Sequence, residues 1–129
     1  MNQRDVFIKK LREGTIGSVS TQSSSEEMFQ NEVLRPILKL QNDLFIASFK
    51  NYSAKYNKDF NFQTTEKKLA TIENAIQKDS KYRNTLKGMV LGLFTIEEYS
   101  FYIKNSSNLN KRMMTMLIER VKSQVQLFE

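Results

Sequence analysis

The chain has 129 residues and a mass of 15.1 kDa, with 20 Lys and Arg against 14 Asp and Glu, a net charge of +6 and a pI of about 9.6. That length suits one domain with a real hydrophobic core. The absence of His and Cys excludes an imidazole base, a Ser-His triad, a His-ligated metal, disulfides, thiolate nucleophiles and Zn-thiolate sites.

One proline, four glycines and apolar residues at helical spacing almost throughout predict an all-α protein, a single-domain bundle of five or six helices spanning residues 1–129. A short first helix fits Gln3 to Glu13, with Asn2 as its N-cap, Phe7 and Leu11 on one face and Gly14 as its stop. The N-terminal apolar run, Val6 to Ile8, is far shorter than a signal-peptide core. No run elsewhere approaches the roughly 20 residues of a membrane span, so a soluble cytoplasmic protein without membrane contact is expected. Residues 15–25, rich in Ser, read as a flexible linker.

Ser24 and Glu27 have capping-box spacing and open a long central helix that runs from about Ser25 to about Lys55. Pro36 removes a backbone donor and crowds the carbonyl four residues earlier, which predicts a kink or a break near Val33 to Arg35. Beyond it Ile37, Leu40, Leu44, Ile46, Ala47 and Tyr52 form the expected core stripe, widened by Phe45 and Phe49. Thr64 or Thr65 caps a third helix that buries Leu69, Ile72, Ala75 and Ile76. Asp79 caps the next, carrying Tyr82, Leu86, Met89, Val90 and Leu93, in which Gly88 and Gly92 suggest the close approach of a neighbouring helix. Thr95 and Glu98 start a short helix over Ile96 to Lys104, with Tyr99 and Ile103 aligned. Ser106 or Ser107 caps the last, whose stripe of Leu109, Met113, Leu117, Val121 and Val125, joined by Met114, Ile118 and Phe128, predicts a docked C-terminus.

Carboxylates are the acid-base groups that remain, grouped as Glu26 with Glu27, Glu66 with Glu73, and Glu97 with Glu98. None completes a Glu-x-x-His ligand pattern, and Lys87-Gly88 lacks the glycine loop and hydroxyl of a phosphate-binding loop. The residues assign no metal, no cofactor and no catalytic group. Charge distribution is more informative: residues 55–87 hold eight basic and four acidic side chains, and residues 104–122 hold five and one. In the first, Lys78, Lys81, Arg83 and Lys87 surround Tyr82; in the second, Lys104, Lys111 and Arg112 sit among amides and hydroxyls. Lysine and arginine supply charge to phosphate, while amides and hydroxyls add hydrogen bonds, so both stretches are expected to contact RNA. Met116 lies off the core stripe of the last helix and is the expected protein-interface residue, for a protein partner or a second copy of the chain.

The stretches LRPILKLQNDLF (Leu34 to Phe45), AIQKDSKYRNTLKGMVLGLFTIEEY (Ala75 to Tyr99) and NSSNLNKRMMTMLIERVKSQ (Asn105 to Gln124) resemble a small family of uncharacterised bacterial helical proteins, some labelled glyoxalase. That label implies a βαβββ metal enzyme with His and Glu ligands, which a helical chain without histidine does not fit, so no catalytic residue is carried over. The chain is also similar, less closely, to a lineage-specific protein of the large ribosomal subunit, which implies ribosomal RNA as the partner. The combined expectation is a non-enzymatic RNA-binding protein, with a helical protein-interaction module or homodimer as the alternative and a glyoxalase-type enzyme behind both. It would recognise backbone shape, because the sequence contains no RNA-recognition motif, KH loop or zinc knuckle.

Overall fold

A computed structural model of the chain describes residues 2–13 and 24–128. The predicted linker over 15–25 and the stop at Gly14 lie outside the described residues, except that Ser24 caps a helix beginning at Ser25. Seven helices and no strand are present among the described residues. They are α1 (Gln3–Arg12), α2 (Ser25–Phe29, continuing through Gln30–Leu34 and Arg35–Leu40), α3 (Asn42–Tyr56), α4 (Thr65–Lys78), α5 (Ser80–Leu91), α6 (Ile96–Lys104) and α7 (Ser106–Lys122). Short 3₁₀ turns occupy Phe60–Phe62 and Val125–Leu127. The all-α expectation holds; the count exceeds five or six because the long central helix is divided.

Pro36 is not where the helix divides. The segment before it, Gln30–Leu34, is π-helical, and the Arg35 N–H reaches the Gln30 carbonyl five residues back. The wider turn absorbs the proline ring and its missing donor, so no break occurs at Val33 to Arg35. The helix ends instead at Gln41, whose φ of −89° and ψ of 4° leave the helical region before α3 begins.

Local caps form at Asn2, Ser24, Thr64 and Thr95 as the sequence places them, whereas Ser106 and Ser107 lie inside the last helix, whose first carbonyl acceptor is Asn105. The Asn2 side chain accepts from the Asp5 N–H at 2.8 Å, Ser24 from Glu27 and Thr64 from Lys67, both at 3.2 Å. Thr95 and Glu98 close a reciprocal capping box, the Glu98 carboxylate accepting the Thr95 N–H at 2.8 Å.

The chain forms two compact units, one of residues 1–41 and 87–113, the other of residues 42–86 and 114–129. In the first unit Phe29 packs edge-on against Phe94 and stacks on Phe101, and Leu34, Ile37, Leu38, Val90, Leu109 and Met113 are buried. Helix α1 departs from its expected orientation: Phe7 and Leu11 are 60% and 56% exposed, while Asp5, Ile8 and Arg12 are buried. The reason lies in the surface that α1 covers, the polar turn between α5 and α6. Arg4 donates to the Gly92 and Phe94 carbonyls at 2.9 Å, and Arg12 donates to the Leu93 carbonyl at 3.0 Å. Asp5 accepts the Ile96 N–H at 3.0 Å. The helix therefore satisfies the carbonyls of the turn after α5 and an orphan donor starting α6 with its charged stripe. Within this stripe Arg12 forms a two-pronged ion pair with Glu98, at 2.6 and 2.7 Å.

In the second unit Phe49 is fully buried and contacts Phe60 and Phe128 edge-on, which fixes the C-terminal turn as expected from the last stripe. Lys68, also buried, donates to the Phe128 carbonyl at 2.7 Å. The α3 stripe is rotated from its predicted position: Phe45, Ile46, Phe49 and Ser53 are buried, whereas Leu44 and Ala47 are exposed.

Gly88 corrects another expectation, since a Cβ built there meets nothing within 4 Å and no neighbouring helix approaches it. A Cβ on Gly92 would meet the Gly88 carbonyl of its own chain turn at 3.2 Å. Gly88 lies inside α5 without a positive φ. Gly88→Ala should therefore stabilise the protein by about 0.5–1 kcal/mol, through the helix preference of alanine over glycine. An urea-unfolding midpoint that falls instead of rising would show that the site is crowded.

Candidate functional site

The predicted RNA-contact residues divide between the two units. Lys78, Lys81, Tyr82 and Arg83 belong to the second, and Lys87, Lys104, Lys111 and Arg112 to the first. Lys78, Lys81, Lys104 and Lys111 are exposed; Arg83, Lys87 and Arg112 are partly buried. Arg112 donates to the Gln30 side chain at 2.8 Å, and Arg83 to the Gln77 carbonyl at 2.5 Å.

Tyr82 is the clear correction. Its side chain is buried, its ring stacks on Tyr52 at 4.2 Å, and its hydroxyl lies 3.1 Å from that of Ser48. Burial pushes the phenol up to about 12. A ring so enclosed has no face to offer a ligand. The signal was present in the sequence, because Tyr82, Leu86 and Val90 recur every four residues on the face that α5 buries.

Asp79 joins this cluster to the surface. Its carboxylate accepts the Tyr82 N–H at 3.1 Å and the Tyr52 hydroxyl at 2.8 Å. These two bonds, in that order, outweigh desolvation and hold the Asp79 carboxyl below its ordinary value, with Lys81 adding a smaller contribution. Tyr52 is pushed up to about 12, chiefly by burial and then by its bond to Asp79.

Sequence reasoning missed the other half of the site. Tyr56, at the end of α3, is 69% exposed, and its ring leans on Tyr52 at 5.0 Å. Tyr52, Tyr56, Asn57, Asn74, Lys78 and Asp79 are among the residues lining an open cleft of about 650 Å³. Lys55 and Lys58, both exposed, flank Tyr56 in the chain. The run Lys55-Tyr56-Asn57-Lys58 carried the usual basic-aromatic signature, hidden at the tail of a helix that was otherwise read for its core. No ion pair among the described residues includes Lys55, Lys58, Lys78 or Lys81.

The expected interface residue Met116 is partly buried. Large exposed apolar side chains of the first unit lie instead on α1 (Val6, Phe7, Leu11) and α6 (Ile96, Tyr99, Ile103). The carboxylates are engaged in structural roles at Glu98, at Glu73 (3.5 Å from Lys122) and at Glu26, which accepts from Asn108 at 3.3 Å. Among the described residues no group of three or more acidic side chains could hold a metal ion, and no helix is long and apolar enough to cross a membrane. Comparison with protein-family models, with curated proteins and with solved structures finds no match.

Proposed function

We propose that this protein is a non-catalytic, cytoplasmic RNA-binding protein, a peripheral component of the large ribosomal subunit. The observation that carries the proposal is the set of exposed lysines in the second unit, Lys55, Lys58, Lys78 and Lys81, outside every ion pair described above; of these Lys78 lines the open cleft beside Tyr52 and Tyr56. A lysine not neutralised within the protein releases counterions when it meets a phosphate, and that release dominates affinity for nucleic acid. Lys87, Lys104, Lys111 and Arg112 give the first unit its own phosphate-binding groups. Recognition is of RNA backbone shape rather than base sequence, with ribosomal RNA as the partner.

The test is sedimentation of the purified chain with ribosomes through sucrose at increasing salt. Co-migration at low salt that is lost as salt rises supports the assignment. A protein that stays at the top of the gradient at low salt contradicts the ribosomal version.

A second reading, as a protein-interaction module or homodimer, is favoured by the exposed apolar side chains of α1 and α6 rather than by Met116. Mass in solution separates the two: a dimer that dissociates in a Phe7→Lys variant supports it, and a strict monomer without a captured partner counts against it.

A further inference from the structure

We propose that the Tyr56 cleft is a site for one unpaired nucleobase, which stacks on the Tyr56 ring while Lys78 meets the adjoining phosphate. The inference rests on the RNA reading above and adds to it a ligand, a site and a discrimination between single-stranded and duplex RNA.

Three tyrosines form a ladder from the interior outward. Tyr82 is held by packing and by its contact with Ser48; Tyr52 stacks on it and is fixed by donating to Asp79; Tyr56 leans on Tyr52. The outermost ring thus has a backing that the fold already orders, yet it remains mostly exposed. Stacking on a prepositioned ring avoids much of the ordering cost that a loose side chain would incur. The cleft is open on its outer side, so a base can reach the Tyr56 ring from solvent.

Charge sets the direction of binding. Asp79 stays ionised in the lining of the cleft, which disfavours a phosphate there and favours the amino and imino donors of a base edge. Asn57 and Asn74 line the same cleft and present both donors and acceptors. Lys78 supplies the positive charge, so base and phosphate are assigned to different parts of one cleft. Bases in a continuous A-form duplex are stacked on their neighbours and present no free face, so the site selects loops, bulges and single strands.

The chain contains no tryptophan, so Tyr56→Trp places a single indole at the site. Titration with a mixed-sequence single-stranded RNA octamer should quench its fluorescence, and a duplex of the same length should not. Tyr56→Ala should lower single-strand affinity roughly 5- to 100-fold without changing duplex affinity, and Tyr56→Phe should retain wild-type binding. Circular dichroism of all three variants controls for folding. If the octamer binds but the indole is not quenched and Tyr56→Ala binds as the wild type does, the base site is wrong and the RNA reading stands. If neither RNA binds the wild-type protein, both fall.

Discussion

Glu98→Ala should cost about 3–5 kcal/mol of stability, as expected when one partner of a buried ion pair is removed. The substitution removes both prongs of the Arg12–Glu98 ion pair, made by a guanidinium that is almost wholly buried, together with the carboxylate half of the Thr95 capping box. Arg12→Met should be similarly damaging, since it strands a carboxylate whose other cation, Lys9, stands 3.8 Å away on the surface. The double variant Arg12→Met/Glu98→Met should recover much of the loss, because an apolar pair has no desolvation penalty to offset. Urea unfolding monitored by circular dichroism measures all three. Single variants within about 1 kcal/mol of the wild type would show that the pair is worth no more than a surface salt bridge.

The same pair makes stability depend on acid. Burial alone raises the Glu98 carboxyl, but the Arg12 guanidinium, the Thr95 N–H and Lys9 together outweigh it and bring the group below its ordinary 4.5. A carboxyl lowered by folding contributes fully above its unfolded value and loses that contribution as pH falls through its folded value. The gap between wild type and Glu98→Ala should therefore be constant above about pH 5 and narrow below pH 4.5.

What was legible in the sequence follows from the range of the forces involved. Helix caps at Asn2, Ser24, Thr64 and Thr95 were readable because a side chain meets a backbone N–H two or three residues away, and α6 has the bounds its capping box indicated. Burial was less so. The outward face of α1 could not be read from Phe7 and Leu11, because the surface that α1 covers, the turn from Gly92 to Ile96, is distant in sequence and polar. Gly88 looked like a packing glycine, yet whether a neighbour approaches is a tertiary matter. At the site, the lysines at 78 and 81 were found by charge alone. Tyr82 and Tyr56 exchanged roles, since composition shows that a tyrosine lies beside lysines but not which of two tyrosines the fold leaves uncovered.

RNA binding through the exposed lysines is tested most directly by the salt dependence of affinity. Each phosphate neutralised contributes roughly 0.7–0.9 to the slope of log K against log salt, the lower figure applying to single strands. With Lys55, Lys58, Lys78 and Lys81 all replaced by alanine, the slope should flatten by about three, and affinity at fixed low salt should fall steeply. Thermal stability should change little, because the four side chains are exposed and outside the ion pairs of the fold. Fluorescence anisotropy of a labelled ribosomal RNA fragment, measured for wild type and variant across a salt series, gives both quantities. A flattened slope with retained stability is the predicted result; an unchanged slope and affinity would contradict the assignment, leaving these lysines as part of a solvated surface.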